Sequence, residues 1–192
     1  MAAPSARDLT GLVLAGGRGQ RLGGVDKGLQ PWRGRPLVDH ALARLAPQVR
    51  EVMISANRNA QAYAARGARV LPDASGDFPG PLAGILAGLR AARTRWLAVV
   101  PCDSPQLPDD LFARLADGLG DAAGAVVRRG DRLEPVCCLL STALADDLER
   151  YLADGGRKVE GWVARHAVGV PFDRAEDAQA FANVNTPDDL AG

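Results

Sequence analysis

The chain has 192 residues, 47% of them hydrophobic and 24% charged, and its formal net charge at pH 7 is zero. That length supports one sizeable core in a single domain. The charge balance excludes a general nucleic-acid or membrane-surface binder, which needs a basic excess, but leaves room for a local anion site.

The opening segment, Met1 to Gly11, has no apolar leader core. No later stretch reaches the roughly 18 apolar residues that a membrane span requires, so a cytoplasmic protein is expected. Gly11–Ala15 reads as a first buried strand, and a glycine-rich loop follows it. Apolar residues at helical spacing predict a helix over Leu37–Leu45, stopped by Pro47. A strand at Glu51–Ser55, a short helix near Ala60–Ala65 and a strand at Ala68–Leu71 come next. A helix is expected from Leu82 to Ala92, then the most hydrophobic strand, Trp96–Pro101, and a helix from Pro108 to Leu119. Alternation of this kind calls for a mainly parallel sheet covered by helices on both faces.

The second part differs. Ala123–Arg128 and Leu133–Leu140 read as strands joined by a hairpin-like turn at Arg129-Gly130-Asp131. Helices at Thr142–Ala153 and Val159–Arg165 and a strand at Ala167–Pro171 follow. Thr186, Pro187 and Asp189 have the pattern of a capping box opening a short terminal helix. No linker or repeat divides the halves, so one domain of two parts is expected, about 1–107 and about 108–192.

In open α/β sheets, ligands bind beyond the carboxyl ends of the strands. That rule brings together the loops after Ala15, Leu71 and Pro101. The first runs from Leu14 to Lys27, and five of the nine residues from Gly16 to Gly24 are glycine. Without side chains in the way, backbone N–H groups can approach an anion, while Arg18, Arg21 and Lys27 add positive charge. A triphosphate suits such a loop, although a flexible surface turn has similar composition. A dinucleotide fingerprint is excluded because Leu22 stands where its last glycine belongs. The second strand also ends in Ser55-Ala56-Asn57, without a ribose-binding acid. A Walker loop fails because Lys27 is flanked by Asp26 and Gly28.

Asp103 follows the most hydrophobic strand directly, which holds a carboxylate rigidly at the predicted site. Triphosphate chemistry usually uses Mg²⁺, bound by one or two carboxylates with phosphate oxygens and waters, and Asp103 is the candidate ligand. It also fits a turn-former before Ser104-Pro105. Of the 23 basic residues only Lys27 and Lys158 are lysines, which marks a compact ammonium as wanted at those positions. The adjacent Cys137 and Cys138 should point to opposite faces of a strand, suiting neither zinc nor a disulfide; they and Cys102 are expected to be buried hydrophobes. His40 and His166 are assigned no chemistry.

Leu14-Ala-Gly-Gly17, Arg21-Leu-Gly-Gly24 and Asp26-Lys-Gly28 together resemble the signature loop of nucleotidyltransferases, in the molybdenum cofactor guanylyltransferase (MobA) branch. The resemblance continues through Phe78-Pro-Gly-Pro-Leu-Ala-Gly84, Pro101-Cys-Asp-Ser-Pro105, Gly156-Arg-Lys-Val159 and Asn183-Val-Asn-Thr-Pro187, covering almost the whole chain in order. It implies a three-layer, Rossmann-like nucleotidyltransferase fold. It also implies a Mg²⁺-dependent reaction in which the phosphate of molybdopterin attacks GTP, forming the guanine dinucleotide cofactor and releasing pyrophosphate.

Leu14, Ala15, Gly16, Gly17, Arg21 and Lys27 would then hold the nucleotide, with Arg21, Lys27 and Asp103 serving catalysis. Asp73 would meet the guanine edge, although it equally fits an Asx turn with Ala74-Ser75-Gly76, and Gly80 and Gly84 would let backbone pack against the base. Arg157 and Lys158 would bind the acceptor phosphate, or serve as solvated charges at a helix start. Asn183 and Asn185 would lie in the acceptor site, on one side of an extended segment. The implied partners are GTP and molybdopterin, with the molybdenum insertion protein and recipient molybdoenzyme apoproteins as protein partners. One departure is Ser55, where guanylyl relatives often carry Asn. The competing readings are a cytidylyl- or sugar-phosphate nucleotidyltransferase and a non-catalytic nucleotide or cofactor carrier.

Overall fold

The central strand-forming runs, Leu9–Leu14 and Trp96–Pro101, are buried along almost their whole length rather than at alternate residues, and such strands are stable only when both their faces are covered. The computed structural model describes residues 3–15, 25–72 and 80–190. Its elements in order are β1 (Leu9–Leu14), β2 (Pro31–Trp32), β3 (Arg35–Pro36), α1 (Leu37–Leu45), β4 (Glu51–Ser55), α2 (Ala60–Ala64), β5 (Arg69–Leu71), α3 (Pro81–Ala91) and β6 (Trp96–Pro101). Then follow α4 (Leu111–Gly118), β7 (Gly124–Arg129), β8 (Arg132–Ser141), α5 (Ala145–Ala153), α6 (Val159–His166), β9 (Ala167–Pro171) and α7 (Pro187–Leu190).

The main sheet has seven strands in the order β5-β4-β1-β6-β8-β7-β9. Only β8 runs against its neighbours, and the other pairings are parallel. The expected mainly parallel α/β sheet is therefore observed, with the β7–β8 hairpin supplying the one reversal. Between Val126 and Val127 the β7–β8 register shifts in a bulge, which bends the hairpin away from a regular ladder.

Alternate strand residues feed two cores on opposite faces of the sheet. Val13, Ala98, Val100, Cys137 and Leu139 pack with α1, α2 and α4. Leu12, Leu97, Val99, Cys138 and Leu140 pack with α3, α5 and α6. The vicinal cysteines thus face opposite layers, and all three cysteines are free and buried. Burial pushes Cys102 and Cys138 up to about 12 and Cys137 well above the usual thiol range, so all three remain protonated.

Two short features were not anticipated from periodicity. The segment before α1 contains a 3₁₀ turn at Lys27–Leu29 and the small β2–β3 hairpin, both too short to carry a hydrophobic period. The helix expected from Pro108 begins at Leu111, and the one expected from Thr142 opens as a 3₁₀ turn before α5. Among the described residues no helix is long and apolar enough to cross a membrane.

Candidate active site

The parallel strands end level with one another. Leu14 pairs in register with Ser55 and Pro101, and Ser55 with Leu71. Backbone bonds continue past the strands: Cys102 N donates to Leu14 O at 3.1 Å, Ala15 N to Ser55 O at 2.9 Å, and Ala56 N to Leu71 O at 3.0 Å. The loops that leave these strands therefore start from one rigid edge.

At that edge the Lys27 ammonium donates to Asp103 Oδ2 at 2.6 Å and to Asn185 Oδ1 at 2.6 Å. The three residues come from the 3₁₀ turn before β2, the end of β6 and the C-terminal segment. Lys27 and Asp103 side chains are 18% and 20% exposed, so their attraction is screened less than at a free surface. Removing either would leave the other a largely desolvated charge without its partner.

The C-terminal segment is held over Asp103 by its backbone as well. Val184 N donates to Asp103 O at 2.9 Å, and the Val184 side chain enters a small cluster with Trp32 and Leu37. The asparagines on either side reach the β6 loop and Lys27: Ser104 Oγ donates to Asn183 Oδ1 at 2.7 Å, and Asn185 accepts from Lys27. Because both amide oxygens are occupied by donors, the Asn183 and Asn185 amide groups are left as donors. Beyond them, Asn185 N and Thr186 N donate to Asp189 Oδ2 at 2.8 and 2.9 Å, and Asp189 N donates to Thr186 Oγ1. This is the expected capping box at α7, and the two backbone N–H groups hold the Asp189 carboxyl below its usual range.

The structure thus brings Lys27, Asp103, Asn183 and Asn185 together, with Leu14 and Ala15 at the adjoining strand end. Gly16, Gly17, Arg21 and Asp73 lie outside the described residues. Gly80 caps α3 with φ of 122°, a backbone conformation that favours glycine. Gly84 faces the sheet, where a Cβ would lie 2.5 Å from Ser55 Oγ and 2.9 Å from Leu14 Cδ2. Arg157 and Lys158 sit in the α5–α6 connection. The Arg157 guanidinium donates to Leu152 O in the last turn of α5 at 2.8 Å and to Gly156 O in the connection at 2.6 Å, while Lys158 is exposed at the start of α6.

Several neighbours were not singled out from the sequence. Asp26 accepts from Tyr63 and Asn59 next to Lys27, and Ser104 orients Asn183. A cleft of about 340 Å³ beside the β6 loop is lined by Trp32, Arg33, Arg35, His40, Arg44 and Gln106, among others. His40 Nε2 donates to Trp32 O at 2.9 Å, which fixes its tautomer and gives it a structural role. Asp26 alone had a visible signal, its place before the unusual Lys27.

The sequence profile of the MobA-like NTP transferase domain matches residues 11–169, which includes every strand of the main sheet wholly or in part. The chain belongs to the MobA-like NTP transferase family. Among its MobA-like relatives, the molybdenum cofactor guanylyltransferase of Ralstonia nicotianae is 53% identical, with 93% of this chain and 92% of that one aligned. The molybdenum cofactor guanylyltransferase of Ralstonia pickettii is 52% identical over 95% and 94% of the two chains. The crystal structure of molybdopterin-guanine dinucleotide biosynthesis protein A from Archaeoglobus fulgidus superposes with a TM-score of 0.77 at 25% identity, covering 95% of each chain. A nucleotidyltransferase fold is therefore established for the whole described sheet, the second part included.

Proposed function

We propose that this chain transfers GMP from GTP to the terminal phosphate of molybdopterin, forming the guanine dinucleotide cofactor. The observation that carries the reading is the Lys27–Asp103–Asn185 group at the carboxyl end of β6, in a MobA-like chain about half identical to named guanylyltransferases. An oxygen of the acceptor phosphate forms a bond to the α-phosphorus of GTP. The bond from that phosphorus to the bridging oxygen breaks, and pyrophosphate leaves with its electron pair.

On this reading Leu14, Ala15, Gly16, Gly17, Arg21 and Lys27 hold the triphosphate, Asp73 and Gly80 border the base, and Gly84 lets α3 close on the sheet behind it. Lys27 and Arg21 bear on the leaving pyrophosphate as its charge develops. Asn183 and Asn185 present amide donors toward the acceptor, and Arg157 and Lys158 take its phosphate. The part before about residue 107 then serves the nucleotide, and the remainder serves the acceptor.

The donor set fits Mg²⁺. Asp103 sets a carboxylate at the carboxyl end of the sheet beside Lys27, and a hard oxygen donor suits a hard divalent ion. Among the described residues no group of three or more His, Cys, Asp or Glu side chains is gathered as a metal cage, and Mg²⁺ bound with a nucleotide needs only one or two carboxylates. Asp103 would hold the ion, which supplies charge neutralisation on the phosphate oxygens. The protein's own contribution would be positioning and charge, with no covalent nucleophile needed.

Pyrophosphate release tests the reading. Release should require this chain, a divalent ion, molybdopterin and GTP together, and the pterin product should carry guanine. Release with CTP in preference to GTP, or nucleotide binding without release, would overturn it.

A further inference from the structure

Asp26 takes part in none of these steps, yet its carboxylate is engaged on both oxygens. Oδ1 accepts the Tyr63 hydroxyl at 2.5 Å, and Oδ2 accepts the Asn59 side-chain amide at 2.9 Å. Its backbone carbonyl accepts from Leu29 N and from Gln30 Nε2, both at 3.2 Å, closing the 3₁₀ turn that carries Lys27. Tyr63 is fully buried on α2, and Asn59 stands at the start of that helix with φ of 53°. The turn is thereby fastened to a helix that packs on the sheet. Gly28 completes the arrangement, because a Cβ there would lie 2.5 Å from the Tyr63 oxygen. Three consecutive residues divide the work: Asp26 anchors, Lys27 carries charge, and Gly28 leaves room for the phenol.

A lysine needs such help. Its four-carbon stem has many rotamers, and a three-residue 3₁₀ turn is held by few bonds of its own. Catalytic charges are useful only when their supports keep them within a fraction of an ångström. Burial first, and the hydrogen bond to Asp26 next, push the Tyr63 phenol far above its ordinary range, so it remains a donor at any working pH.

We propose that Asp26, Tyr63 and Asn59 are positioning residues that hold the Lys27 ammonium where the leaving pyrophosphate needs it. This rests on the role given to Lys27 above. The experiment is a double-mutant cycle on the full chain, read as kcat and KM for GTP in pyrophosphate release, with thermal midpoints measured alongside. Tyr63→Phe keeps the ring and removes only the donor; kcat should fall roughly ten- to a hundredfold, the scale of a misplaced catalytic group, with a much smaller change in KM. In a Lys27→Ala background the same substitution should cost nothing further. The exposed Asn59→Ala should behave alike with a smaller loss, and it carries the test if Tyr63→Phe fails to fold. Wild-type kcat in both variants, or an undiminished loss in the Lys27→Ala background, overturns the proposal alone. Normal turnover of Lys27→Ala by itself overturns the assigned role of Lys27 and the proposal together.

Discussion

Gly84→Ala tests how closely α3 must approach the sheet beside the proposed nucleotide site. The added Cβ would lie 2.5 Å from Ser55 Oγ, 2.9 Å from Leu14 Cδ2 and 3.1 Å from Ser55 Cβ, where ordinary contact begins at 3.4 Å. The Leu14 methyl is the far end of a side chain and can turn aside. Ser55 is buried and short, so α3 or the end of β4 must shift instead. Overpacking of this kind costs about 1–3 kcal/mol, and replacing a helix-interior glycine by alanine offsets about 1 kcal/mol of it. A net loss of roughly 1 kcal/mol is expected, or about 2–4 °C in Tm at this chain length.

Urea unfolding of Gly84→Ala, Ser55→Ala and the double variant measures this directly. Removing the Ser55 oxygen takes away the shortest contact, so Gly84→Ala should cost at least about 0.5 kcal/mol less in that background, the scale of coupling between touching residues. Any rise in KM for GTP should be relieved with it, because displacement of α3 is its cause. Equal cost in both backgrounds would refute the packing argument. A KM that stays raised in the double variant would place Gly84 against the nucleotide itself.

Asp103→Ala should abolish metal-dependent pyrophosphate release, and Lys27→Ala should slow it roughly 10²-fold or more, the loss seen when one preorganised charge contact is removed; near-normal turnover in both refutes the site. The Arg114 guanidinium, donating to both oxygens of buried Asp177 at 2.8 Å, holds that carboxyl below its usual range. The folded-state pKa thus lies below the unfolded value of about 4, so the pair's stabilisation is complete above that value and is lost as pH falls through the folded-state pKa. Asp177→Asn should therefore lower the urea midpoint at neutral pH and flatten its decline in acid; an unchanged acid profile contradicts this. Cys102, Cys137 and Cys138 should resist a thiol-reactive disulfide reagent in the native protein and all react in denaturant. Rapid native labelling would contradict their burial.

The elements legible in the sequence are those whose signal is local. β4, β6, β9 and α1 were read with their observed limits, because a buried strand or an amphipathic helix writes its period into consecutive residues. The position of Asp103 was legible for the same reason, two residues past the most hydrophobic strand. The opposed faces of Cys137 and Cys138 follow from the two-residue period of a strand. The β2–β3 hairpin and the Lys27 turn are too short for any period, and nothing within the short α2 segment marks Tyr63 as the partner of Asp26.

Composition, element order, the glycine-rich loop and the acidic end of β6 were therefore determined by the sequence itself, through burial patterns that each segment carries alone. Partnership was decided by the tertiary structure. Lys27 meets Asp103 across 76 residues and Asn185 across 158, because the strand order sets β6 beside β1 and the C-terminal segment folds back over the β6 loop. Gly84 opposes Ser55, and Asp26 opposes Tyr63, for the same reason. Hydrogen bonds and close contacts between distant segments depend on how layers stack, and no periodicity within one segment records what will lie against it.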